Sequence, residues 1–261
     1  MLKMETQVLL CAIKQAGDEI KRLQSNEFTI SYKHGQHLLT SADLLANQIL
    51  KDELLSCFGN DGWLSEESDD DLKRLEFKRV WVVDPIDGTK EFVQGLPEYA
   101  VSVALIEDGV PIMASVYNPA KDQLFHAIKD QGAWLNDRPI YCDRDFEKRL
   151  TVLASRTEIA KGAWKYFAKI NEVKPMGSIA YKLALVASGY AHATFSLDPK
   201  SEWDIAAGIL LVQEAGGRVT DTHQNVIKFN QRNTRVNSIV ASTQETFSII
   251  HKQIKGNFLH G

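Results

Sequence analysis

An α+β fold of two closely packed lobes is what the sequence predicts, and three observations carry it. Leu9, Ile13, Ala16, Ile20 and Leu23 recur at alternating spacings of 4 and 3, the stripe of a helix with one buried face. YAVSVALI (99–106) and PIMASVYN (111–118) flank the turn residues EDG and read as a β-hairpin. WDIAAGILLVQEA (203–215) reads as an amphipathic helix, and Gly216-Gly217 stop it in the usual C-terminal manner.

The remaining elements follow in order. The first stripe predicts a helix over about 4–23, and residues 41–57 predict a second, with Thr40 or Ser41 as its cap. FGNDGWLSEESDDD reads as a loop with an acidic tail, and 80–84 as a short buried strand. After the hairpin, QLFHA and GAWLN continue the strand pattern to about 136, which completes two helices against an antiparallel sheet. TVLAS then reads as a strand, 158–170 and 178–188 as helices, and AHATFSL as a strand. No Pro- or Ser-rich linker and no repeat interrupts the chain, so the lobes, 1–145 and 146–261, are expected to share a continuous core. Trp63, Trp81, Trp134 and Trp203 are candidate core residues.

Composition narrows the function. The 261 residues are 44% hydrophobic and 25% charged, ordinary for a globular enzyme-sized chain, and the formal charge of −4 supplies no basic footprint for nucleic acid. Three cysteines, Cys11, Cys57 and Cys142, are odd in number and lack a CxxC, which points to reduced thiols in the cytoplasm rather than a disulfide framework. VLLCAI is followed by Lys14, Asp18, Glu19 and Lys21, an amphipathic helix rather than a signal peptide. No apolar run reaches the roughly 18 residues of a membrane span.

Four carboxylates stand where local structure ends: Glu66 in WLSEES, Asp84 and Asp87 past a buried strand, and Asp204 at the start of an apolar helix. Hard cations such as Mg²⁺ take carboxylate and carbonyl oxygens and keep room for waters and a phosphate. Asp84 and Asp87, three apart across Pro85, can point into one cleft, with the Ile86 carbonyl as a further oxygen. D-P-x-D-G is also close to an ideal turn sequence. Asp204 has a second reading as a helix cap, and Glu66 as one charge of a solvated loop. Gly88-Thr89 adds a glycine that lets backbone approach an anion, beside a hydroxyl. Thr40 and Asp43 form a capping box, which explains Asp43 without catalysis, although a capping aspartate can also face a cleft.

Other constellations carry less. His34 and His37 form an HxxH in a loop without the helical HExxH of zinc proteases. Ser178 and Ser201 lack a GxSxG elbow, and the chain has no GxGxxG.

T-S-A-D (40–43), S-E-E-S (65–68), D-P-I-D-G-T (84–89) and W-D-I-A-A-G (203–208), in this order, resemble the inositol monophosphatase superfamily of Mg²⁺-dependent, lithium-sensitive phosphomonoesterases. The resemblance spans nearly the whole chain. It implies a layered αβαβα sandwich with the active site between its sheets. Carried over by position, it makes Glu66, Asp84, the Ile86 carbonyl, Asp87 and Asp204 ligands of two to three Mg²⁺ ions. It also makes Asp43 and Thr89 the pair that activates the attacking water, and Gly88-Thr89 the phosphate cradle.

D-G-T-K-E-F (87–92) is similar to the 3′(2′),5′-bisphosphate nucleotidases, whereas inositol monophosphatases tend to read D-G-T-x-N-F, and its Lys90 is a candidate substrate contact that suits a substrate with two phosphates. GSIAYKLALVASG occupies the region that lines the leaving group, so Gly177, Ser178, Ile179 and Lys182 are candidate substrate contacts, with Glu202 as another. Ser155-Arg156 resembles a position near the nucleotide phosphate. The expected reaction is therefore adenosine 3′,5′-bisphosphate to AMP and phosphate. Inositol monophosphate is the alternative substrate and a sugar bisphosphate a third. A phosphoinositide- or nucleotide-binding regulator without turnover is the alternative of another class, and a structural Ca²⁺ module leaves Gly88-Thr89 without a task. The partner is a small phosphorylated molecule, and the chain is compatible with a homodimer.

Overall fold

The computed structural model describes residues 2–33, 37–142, 149–196 and 198–258. His34 of the HxxH pair and the expected lobe boundary at 145/146 lie outside them.

The first stripe becomes α1 (Lys3–Gln24), which buries Leu9, Ile13, Ala16 and Ile20. A short hairpin, β1 (Ile30–Tyr32) and β2 (Leu38–Thr40), leads into α2 (Ser41–Cys57). The predicted acidic loop contains a strand, β3 (Gly62–Ser65), before a single 3-10 turn at Lys73–Glu76 and β4 (Arg79–Asp87). A five-residue helix, α3 (Thr89–Val93), follows at once. The hairpin is β5 (Ala100–Glu107) and β6 (Val110–Asn118), continued by β7 (Gln123–Ile128), β8 (Gly132–Leu135) and β9 (Arg138–Ile140). β3 to β9 form one sheet in chain order, antiparallel throughout except for the parallel pair β3/β4.

In the second half, β10 (Thr151–Ser155) is followed by two short helices, α4 (Arg156–Ala160) and α5 (Phe167–Ile170). The single helix expected over 158–170 is broken because Gly162 takes a left-handed φ of 82°. Then come β11 (Glu172–Met176), α6 (Ile179–Ala187), β12 (Ala193–Ser196), β13 (Lys200–Ser201) and α7 (Glu202–Glu214). β14 (Gly217–Thr220), β15 (Arg235–Val236), β16 (Ile239–Thr243) and α8 (Phe247–Phe258) complete the chain. A second sheet has the order β11-β10-β12-β16-β14, and β13 pairs with β15 in a ribbon.

Strand alternation divides the core into layers. From β4 and β5, Trp81, Val83, Val101, Val103 and Leu105 pack against α1 and α2. Their neighbours Val80, Val82, Ala104 and Ile106 face α6 and α7, through Leu183, Ala187, Ile205 and Ile209. Leu153, Ile239 and Ala241 of the second sheet close that same middle layer. Val152, Ala154 and Val240 point the other way, onto Trp164, Phe167, Ile250 and Ile254. The result is α1/α2, sheet, α6/α7, sheet, α5/α8: the layered α+β sandwich expected. Trp81 is fully buried, whereas Trp63, Trp134 and Trp203 are half-buried.

Candidate active site

A cleft of about 400 Å³ opens where both sheets and the middle helices end together. Every predicted site residue except Asp43, Arg156 and Glu202 lines it. The parallel pairing of β3 with β4 puts Ser65 opposite Val83, so Glu66 and Asp84 emerge side by side although 18 positions separate them. One oxygen each of Glu66, Asp84 and Asp204 lies within 4.8 Å of the others.

The D-P-I-D stretch is a bulge rather than the expected turn. β4 runs on through Asp87, but its register against β5 slips by one residue between Asp84 (opposite Ser102) and Asp87 (opposite Ala100). A proline has no N–H for a ladder, and a bulge is where an interior strand tolerates one. The extra residue re-aims the carboxylates. Asp84 accepts from the Ile86 N–H at 3.0 Å, and the Ile86 carbonyl accepts from the Thr89 hydroxyl at 3.0 Å. Asp87 gives one oxygen to the Ser178 hydroxyl (2.7 Å) and the Ala180 N–H (2.6 Å) at the start of α6. Gly88 turns the chain into α3 with φ of 98°.

Asp43 and Asp204 both satisfy two readings at once. Asp43 accepts the Thr40 N–H at 2.7 Å in a capping box, and its second oxygen accepts the Thr89 hydroxyl at 3.1 Å from behind the cleft wall. Asp204 accepts the Ser201 N–H at 2.8 Å while its carboxylate joins the cleft cluster.

This clustering of acids in a buried site shifts their protonation. Burial, then Glu66 and Asp87, holds Asp84 well above the usual carboxylate range. Burial also raises Asp87 and Asp43, only partly offset by their hydrogen bonds. Asp204 is pushed up to about 8, by burial first and by Asp87 next. So many oxygen donors converging with uncompensated repulsion are what a hard divalent cation relieves, and the donor set fits Mg²⁺.

Three neighbours escaped the sequence analysis. Lys33 pairs with Glu66 at 3.0 Å and also with Glu67. Burial pulls its ammonium down, but Glu66 and Glu67 outweigh that and leave it raised. Burial likewise takes Glu67 up to about 7. Glu158 lies on the far wall, accepting from Trp164 and Ser196 at 2.9 Å each. Lys33 and Glu158 belong to no local motif, and only the tertiary fold delivers them.

Two expectations are corrected. Glu202 does not reach the cleft: it is fully buried, and its carboxylate accepts the N–H groups of Asn230 (2.7 Å) and Gln231 (2.9 Å). It sits two residues before Asp204 at the start of a helix, so the two side chains leave in different directions. Arg156 is committed to Glu98, with contacts of 3.0 and 2.5 Å, and is absent from the cleft lining. Lys182 does line the cleft. It is 4% exposed, and its ammonium has no hydrogen bond or ion pair among the described residues.

A five-layer sandwich with a carboxylate cluster between its sheets defines a metal-dependent phosphoric monoester hydrolase. The sequence profile of the inositol monophosphatase family matches residues 2–257, and the chain belongs to that family, whose members depend on Mg²⁺. An inositol-1-monophosphatase of Rhizobium meliloti (strain 1021) is 34% identical over 225 residues, covering 82% of this chain and 84% of the relative. A 3′(2′),5′-bisphosphate nucleotidase CysQ of Haemophilus influenzae (strain ATCC 51907 / DSM 11121 / KW20 / Rd) is 28% identical over 242 residues, 88% of this chain and 89% of its own. The crystal structure of extragenic suppressor protein SuhB from Bartonella henselae superposes with a TM-score of 0.85 at 27% identity, covering 97% and 99% of the two chains.

Proposed function

We propose that this phosphatase is a 3′(2′),5′-bisphosphate nucleotidase that hydrolyses adenosine 3′,5′-bisphosphate to AMP and phosphate. The observation that carries the choice is Lys182. An ammonium that is 4% exposed and makes no ion pair among the described residues is costly, and Glu158, Asp87 and Glu91 offset its burial only in part. Lys182 and Lys200 line the cleft together with Ser155, Thr157, Ser196 and Glu158, a hydroxyl-rich wall whose two ammonium groups suit a second phosphate. A single phosphate held at the carboxylate end leaves that wall without a ligand.

At the carboxylate end, Glu66, Asp84, Asp87, Asp204 and the Ile86 carbonyl would hold two to three Mg²⁺ ions. Bound there, those ions would supply charge neutralisation and polarisation of the phosphoryl group and water. Thr89 has one proton and two acceptors within reach, Ile86 O at 3.0 Å and Asp43 Oδ1 at 3.1 Å. When it donates to Asp43, its lone pairs face the cleft and orient a water for in-line attack. Burial keeps Asp43 basic enough to receive that water's proton through the hydroxyl. Gly88 offers backbone without a side chain next to the scissile phosphate, with Lys90 at the rim.

Hydrolysis of inositol monophosphate is the second reading, favoured by the name of the relative at 34% identity. A cytoplasmic location, inhibition by Li⁺ and a homodimer complete the proposal. Cys142 is buried, its thiol pushed up to about 12 by burial, and Cys11 and Cys57 are exposed. Among the described residues no helix is long and apolar enough to cross a membrane. Parallel turnover of adenosine 3′,5′-bisphosphate, inositol 1-phosphate and fructose 1,6-bisphosphate with Mg²⁺ tests the substrate. Highest kcat/KM on the first is expected. Preference for inositol 1-phosphate overturns the substrate and keeps the mechanism, and no phosphate release from any of them favours a binding protein.

A further inference from the structure

Glu98 immediately precedes Tyr99 and β5 and lies outside every motif above. Its Oε2 accepts the Gly177 N–H at 2.9 Å and the Arg156 Nε–H at 3.0 Å, and its Oε1 accepts from Arg156 Nη2 at 2.5 Å. Glu98 approaches the first sheet, whereas Arg156 and Gly177 adjoin strands of the second. The carboxylate therefore ties the two sheets together beside the cleft.

What it ties is a strained corner. Ser178 adopts φ of 52°, left-handed backbone that a non-glycine residue keeps only when its surroundings hold it there. Its hydroxyl and the Ala180 N–H are the two groups that fix Asp87. Gly177 lies against the Glu91 side chain, which a Cβ there would meet at 2.4 Å. The Glu98 backbone presses on the other wall: a Cβ on Gly88 meets the Glu98 carbonyl oxygen at 2.9 Å. One residue thus abuts Gly88 with its main chain and holds the Gly177–Ala180 corner with its side chain. A bidentate, charge-assisted pair has the directionality for that task.

We propose that Glu98 is a positioning residue of the phosphatase, whose clamp on Gly177 and Arg156 sets the Gly177–Ala180 corner and, through it, the carboxylate of Asp87. It does so whichever phosphorylated substrate the cleft takes, so the outcome of the substrate comparison leaves it standing. Asp87 spends one oxygen on the corner, and the inference rests on the proposed ligand set, in which its other oxygen meets a cation. Loosening the corner lets that carboxylate swing, which weakens cation binding before any chemistry occurs.

The test uses Glu98→Ala and Glu98→Gln in the full chain, with three readouts. Hydrogen exchange at the Gly177 and Ala180 amides is followed in metal-free protein. Mn²⁺ affinity is read from the electron spin resonance of the free ion, and KM and kcat are measured with p-nitrophenyl phosphate. In the alanine variant, exchange at both amides is expected to accelerate and Mn²⁺ affinity to fall about tenfold, the usual loss when a residue orienting a ligand is removed. KM is expected to rise with it. Glutamine keeps an acceptor for the Gly177 N–H and is expected to recover most of the Mn²⁺ affinity. A lowered melting temperature with Ala180 exchange and Mn²⁺ affinity unchanged would overturn the proposal, as would a glutamine variant no better than alanine. Should the alanine variant fail to fold, the glutamine variant decides. Ala180 exchange several-fold faster than wild type supports the proposal, since a neutral amide holds an N–H less firmly than a carboxylate, and unchanged exchange sinks it.

Discussion

Asp84 is 2% exposed and lies among four other acids, Glu66, Asp87, Asp204 and Asp43, a placement that costs stability and makes sense only when a cation shares the site. Asp84→Asn is therefore expected to lower turnover by about a hundred- to a thousandfold, as loss of a main electrostatic element does. The same change removes a repelling charge, so the metal-free variant should melt above wild type. A variant with near-normal turnover would remove Asp84 from the proposed ligand set. Lys182 makes the opposite prediction in pH. Its ammonium is pulled down to about 8, by burial first, with Glu158 pulling it back up. Affinity that depends on that charge weakens as pH rises past about 8. KM for adenosine 3′,5′-bisphosphate should climb there, and KM for inositol 1-phosphate should not share that rise.

At the scale of elements, the bulge in β4 and the turn into α3 decide where the chemistry can be. Gly88→Ala is expected to destabilise the fold by about 1–3 kcal/mol through its left-handed backbone, to which the contact with the Glu98 carbonyl adds. Thermal melts of the metal-free protein measure it. These elements also show what the sequence makes legible. Helices with sustained periodicity were readable, α2 to the residue, because a capping box at Thr40 and Asp43 marks the start. β3 was hidden in a polar loop, because a four-residue strand is defined by its parallel partner β4 rather than by its own pattern. D-P-I-D looked like a turn because turns and bulges want the same residues, and only β5 running alongside distinguishes them. The proposed ligands were visible through local motifs. Lys33, Glu98 and Glu158 were not, since their partners lie far along the chain. Glu202 was misplaced because adjacency to Asp204 in sequence is not adjacency on a helix face.

Across the whole molecule, five layers meet at one end, and the fold concentrates its buried charge there. Asp43, Asp84, Asp87 and Asp204 ionise near 3.8 when unfolded, but the folded chain holds their protons to higher pH, to about 8 for Asp204. Between those values the folded state binds more protons than the unfolded one, so the stability of metal-free protein falls as pH rises through this window. Melting temperatures without metal should therefore decline from about pH 5 to pH 8, and Mg²⁺ should raise them more at pH 8 than at pH 5. A metal-free protein that gains stability over that range would contradict the cluster's electrostatics. The central claim is that the same cleft holds cations at one end and a second phosphate at the other. Its most direct test is kcat/KM of Lys182→Met on adenosine 3′,5′-bisphosphate and on inositol 1-phosphate, with Mg²⁺ saturating. Loss of at least about tenfold on the bisphosphate, as for one buried charge-assisted contact, with the monophosphate within about twofold, is the predicted result; equal losses on both substrates, or none on either, would contradict it.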